Sequence, residues 1–91
     1  MEPLTEPIVA LRKAVNSFLN GDDAARGAIF AAVFILNNRL GPTLRKSQSP
    51  VLRELQLRVN DVTVATKLSD KSRLAVAMKS VEAASGKLEG T

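Results

Sequence analysis

Asp22 and Asp23 are neighbouring carboxylates, and a carboxylate pair can share a proton or hold a hard cation. Directly after Gly21, however, the same two residues read as a helix N-cap followed by an acid that favours the positive end of the helix. Glu54 and Arg58, four apart, make an ordinary helical ion pair rather than an acid–base couple. Ser47 follows Arg45-Lys46 and Ser49 precedes Pro50, patterns a kinase can use but short enough to arise by chance. Cys and His are both absent, which removes the commonest nucleophiles and bases and the usual ligands of zinc, copper and nickel. Gly21 and Gly27 are isolated, so there is no glycine-rich phosphate loop. The expectation is a protein that is not an enzyme, with no cofactor and no metal.

The second chemical feature is charge. The chain carries a net +4, unevenly spread. Residues 39–79 hold nine basic and three acidic side chains, a net +6, whereas the segments before and after are each close to −1. Arg45, Lys46, Arg53, Arg58, Lys71, Arg73 and Lys79 are therefore candidates for contacts to phosphate or to an acidic partner. At 100° per residue Arg53, Arg58 and Lys67 point in three directions, so a helix here is decorated with basic residues rather than striped. Tyr and Trp are missing and the three Phe fall at core positions, which leaves no stacking platform for single strands. A helix-turn-helix over residues 63–81 would place Ser69-Asp70 where a tight turn normally has Gly. A small basic DNA- or RNA-binding regulator is thus the alternative rather than the leading expectation.

The elements that must position these residues follow from hydrophobic spacing. Leu4, Ile8, Leu11, Val15 and Phe18 step by four and three and predict an amphipathic helix from about Thr5, its N-cap, to Asn20. Gly21 stops it, and a short connection sets the next helix against it as a hairpin. That second helix is expected from about Asp23 to Leu40, with Gly41-Pro42 as its terminator and residues 43–49 as a polar loop. Its run from Gly27 to Leu36 has no charged or polar side chain, so the helix reads as apolar all round and central, surrounded by others. Ten residues are far short of the ~20 that span a membrane. The opening residues, with Glu2, Glu6, Pro3 and Pro7, do not resemble a secretory peptide, so a cytoplasmic location without membrane contact is expected.

Residues 51–68 fit two templates. As a helix starting at Ser49-Pro50, Leu52, Leu55, Val59, Val62 and Thr66 share one stripe and Leu57, Val64 and Leu68 the opposite side. As strands, residues 53–68 alternate around an Asn60-Asp61 turn. Helix formers dominate the first half, which favours the helix. A last helix follows Ser69-Asp70, with Leu74, Met78, Val81, Ser85 and Leu88 in step and residues 86–91 expected to fray.

The fold expected is therefore all-α: one domain over residues 1–91, a four-helix arrangement of two αα-hairpins, dimeric. The alternative is α+β, with three helices and a β-hairpin at about 53–68. The dimer follows from counting faces. So short a chain buries only part of its apolar surface, and it offers few faces to cover the second helix. Ile29, Phe30, Val33, Phe34 and Leu36 are accordingly the expected interface, in a protein–protein interaction or oligomerisation module of the small-regulator, immunity-protein or assembly-factor kind. Its expected partner is a second copy, or another protein whose acidic groups meet the basic middle.

Overall fold

A computed structural model describes residues 4–47 and 49–89. They form four α-helices: α1 (Thr5–Leu19), α2 (Ala25–Ser47), α3 (Pro50–Lys67) and α4 (Lys71–Glu89). Each helix packs against its neighbour in sequence, and α4 returns to α1 to close a four-membered ring. Packing is closest in the two hairpins α1–α2 and α3–α4, thinner between α2 and α3, and thinnest between α1 and α4. Ties between the early part of one helix and the late part of the next establish the antiparallel order. Arg26 donates to the Thr66 carbonyl at 3.0 Å, and Lys87 pairs with Glu54 at 3.5 Å. The bundle measures 38 × 20 × 19 Å.

Turn chemistry fixes where the helices change direction. Gly21 has φ +104°, its N–H donates to the Phe18 carbonyl, and the N–H of Asp22 reaches back to Ser17. These are the two bonds of a Schellman stop, which needs a left-handed residue and is cheapest with Gly. The α3–α4 turn repeats the pattern with Ser69 at φ +54°, through Ser69 to Thr66 and Asp70 to Ala65. Ser is an uncommon occupant of that region; here its Oγ accepts from the Arg26 guanidinium at 2.6 Å. Asp70 then caps α4, its carboxylate accepting from the Arg73 N–H at 3.1 Å. Ser49 caps α3 by accepting from the Leu52 N–H at 3.4 Å, with Pro50 at the first helical position. At α1 the N-cap is Leu4, which offers no side-chain bond, and Thr5 is already helical.

Residues 50–67 form one helix, and no strand occurs among the described residues, so the β-hairpin alternative falls. Leu52, Leu55, Val59, Val62 and Thr66 all face the core, while Leu57, Val64 and Leu68 are exposed on the other side. With Ala65 the helix buries six residues at once, and the capped, proline-started first turn favours it locally. Glu54 and Arg58 do not pair with each other: Arg58 reaches Asp61 at 3.4 Å and Glu54 reaches Lys87.

The expected break at Gly41-Pro42 does not occur, and residues 43–47 are helical rather than a loop. Pro42 lacks the N–H that would bond the Asn38 carbonyl and crowds that turn. Tertiary burial overrides it, because the stripe of Leu36 and Leu40, both fully buried, continues to Leu44, which packs on the core edge. Nor is α2 central; it is one corner of the ring, burying one face only. α4 likewise stays helical through Gly86 to Glu89, and Gly90 and Thr91 lie outside the described residues.

Pro42→Ala restores a helical N–H in the middle of α2 and is expected to stabilise the fold by ~1–3 kcal/mol. Thermal denaturation by circular dichroism checks this, and an unchanged or lower melting temperature contradicts the account of Pro42.

Candidate interaction surface

The core takes Ala25, Ile29, Ala32, Val33, Leu36 and Leu40 from α2. These residues define the inward side of the helix, and the 3.6-residue repeat then fixes the outward side. Ala24, Gly27, Ala28, Ala31, Phe34, Ile35, Asn38 and Pro42 are all exposed, and none is charged. Phe34 keeps 66% of its surface in water and Ile35 43%. Arg26, which interrupts the charge-free sequence, turns to the opposite edge of the helix. There it lies 5.2 Å over the Phe18 ring and bonds Thr66 and Ser69. Arg45 and Lys46 follow Phe34 and Ile35 by eleven residues, three helical turns, and so continue the outward face as its charged end; both are exposed.

The size of the outward side chains changes along α2. The half towards the α1–α2 turn carries only Ala and Gly, and the half beyond carries Phe34, Ile35 and Pro42. Beside the small half, α1 adds Ala10, Lys13, Ala14 and Ser17 to form a shallow open groove of about 500 Å³ with Ala24 and Ala28. A bulky ridge and a small-residue groove thus lie end to end on one surface.

Of the five residues expected at an interface, Ile29, Val33 and Leu36 are buried by the chain itself and are core. Phe30 is half-buried on the α3 side, and Phe34 is exposed. Ile35 and Ala31 were missed as surface residues. Their signal was the Leu36–Leu40–Leu44 spacing, which sets the phase of the helix once it is read across Pro42.

The basic residues do not converge. Arg45, Lys46 and Arg53 sit at the end of the bundle where α2 passes to α3, and Lys71 and Arg73 at the opposite end where α4 begins. Arg58 is engaged with Asp61, and Lys79 lies along α4 towards α1. Asp22 is a cap, its carboxylate accepting from the Ala24 N–H at 3.1 Å. Among the described residues no group of three Asp or Glu is placed to hold a metal ion. No described helix is long and apolar enough to cross a membrane.

Two further features mark the other seams. The α1–α4 seam has hollows of about 290 and 220 Å³, separated by the Arg12–Glu82 ion pair at 3.4 Å. That pair is exposed, so it contributes ~0.2–1 kcal/mol at most. In the α2–α3 seam Asn37 Oδ1 and Thr63 Oγ1 are buried without a protein partner, a local cost in the thinner of the α2 contacts.

Comparison of the chain with protein families, with curated proteins and with solved structures finds no match.

Phe34→Ala is expected to change folding stability by under ~1 kcal/mol, whereas Leu36→Ala, which empties a fully enclosed site, costs ~2–5 kcal/mol. Urea denaturation at low protein concentration separates the two. Equal losses would mean that Phe34 belongs to the core.

Proposed function

We propose that the protein is a non-catalytic protein–protein interaction module, and that it works by burying the outward face of α2. The observation that carries this reading is Phe34, two-thirds exposed in the middle of a helix face without charge, in a chain that is 24% charged. A fully buried Phe or Ile is worth ~1.5–3 kcal/mol over leaving it in water. Surface strips of this kind, rimmed by polar residues, are typical of interaction sites. Arg45 and Lys46 at one end of the strip would orient a partner with acidic groups at the matching place. Such a module would belong with small regulators, immunity proteins or assembly factors.

The alternative, a basic nucleic-acid-binding regulator, has less support. Binding along a phosphate backbone needs a continuous basic track, and the candidate residues are scattered over a 38 Å bundle, Arg45, Lys46 and Arg53 at one end, Lys71 and Arg73 at the other, and Arg58 and Lys79 between.

A photo-crosslinking residue placed at position 34, and separately at the exposed Ser72 of α4, tests the reading in cells that make the protein. Protein adducts are expected from position 34 and not from position 72. Equal labelling from both, or none from either, counts against it. Binding that falls steeply as salt rises, with nucleic acid as the ligand, would favour the alternative.

A further inference from the structure

We infer that the occupant of the α2 face is a second copy of this chain, paired antiparallel along α2 about a two-fold axis at the level of Val33. The inference rests on reading that face as an interaction surface. It goes further by naming the partner and the register.

Three observations lead to the same pairing. The first is shape. An antiparallel two-fold matches the small half of the face with the bulky half of its copy, and does so twice. Phe34 and Ile35 of each copy then lie over Ala31, Ala28 and the adjoining groove of the other. A residue i falls opposite 66 − i when the axis crosses near residue 33, so Ile35 meets Ala31 and Asn38 meets Ala28. A parallel pairing would instead set Phe34 against Phe34 and leave both grooves empty. An isologous contact of this kind closes on itself and stops at two subunits.

The second observation is charge. Asp22-Asp23 precede the small half, and Arg45-Lys46 follow the bulky half; all four are exposed. The same register brings each acidic end beside the basic end of the other copy. A parallel arrangement would put like charges together at both ends.

The third is the net charge of +4 on each chain. Two such chains repel over most of their surfaces, and between Gly27 and Asn38 the outward strip of α2 brings no charge of its own to the contact, with Lys13 of α1 the one cation lining the groove beside it. One helix row covers less than the ~800 Å² per partner of a standard interface. The groove wall contributed by Ala10 and Ser17 of α1 supplies part of the remainder.

Sedimentation equilibrium of the full chain, with circular dichroism to confirm folding, tests the pairing. The wild type is expected at twice 9.7 kDa, and Phe34→Glu at the single mass while still helical. Two charge variants test the register, Asp23→Lys and the double change Arg45→Glu with Lys46→Glu. Each alone should dimerise about tenfold more weakly. Mixed together they should form heterodimers more tightly than either variant forms with itself, because one end contact is then the wild-type one and at the other the new lysine meets the new glutamates. A wild type that stays at the single mass up to about 1 mM, a dimer untouched by Phe34→Glu, or a mixture no tighter than its components would each overturn the inference. A wild type at the single mass whose position 34 still crosslinks to another protein sinks the second-copy partner alone. The same mass with no adduct at position 34 sinks the interaction reading as well.

Discussion

The burial of Ile29, Leu36 and Leu40 in the shared core sets the rotation of α2 about its own axis. Almost everything notable about the protein follows from that rotation. α2 is apolar enough over Gly27 to Leu36 that local hydrophobicity does not choose a side. The choice is made by fit. Branched and γ-branched side chains four residues apart fill the space left by α1, α3 and α4, and Leu44 extends the row past a proline. Once they are inside, Phe34 and Ile35 have to be outside, because 100° per residue leaves no other place for them.

The ring of four helices shares its packing unevenly. The hairpins α1–α2 and α3–α4 are the well-packed units, joined by a thinner α2–α3 seam with two unpartnered polar atoms and by a still thinner α1–α4 seam bridged by Arg12 and Glu82. Stability in so small a chain depends on a modest core, and cover added on one side of α2 would reinforce the closer hairpin. The surface proposed for a partner and the surface that supports the fold are then the same element. Phe34, with 66% of its surface in water, lies on that same element as the core leucines Leu36 and Leu40.

Charge is arranged so that the face remains usable. Of the two arginines within its span, Arg39 is half-buried, and Arg26 turns inward to the bundle end, over Phe18 and onto Thr66 and Ser69. In doing so it supports the left-handed Ser69 that turns α3 into α4. A basic side chain that could have spoiled the strip instead ties two hairpins together. The basic residues beyond it form no track: Arg45, Lys46 and Arg53 lie at one end of the bundle, Lys71 and Arg73 at the other, and Arg58 and Lys79 between them.

Much of the fold was legible in the residues. The stripes of α1, α3 and α4, the stop at Gly21 and the helix starts at Ser49-Pro50 and Ser69-Asp70 are local signals. Spacing and capping act within a turn or two, so a linear reading recovers them. That Leu57, Val64 and Leu68 lie opposite the core stripe of α3 was legible for the same reason; that they stay exposed was not. What tertiary structure alone decided was the course of α2: that it passes through Gly41-Pro42, that it sits at a corner rather than the centre, and that Ile29, Val33 and Leu36 turn inward while Phe34 and Ile35 turn out. A nearly uniform apolar helix carries no amphipathic phase, so its orientation is set by which side chains fill the volume its neighbours leave. That volume exists only once the other three helices are in place.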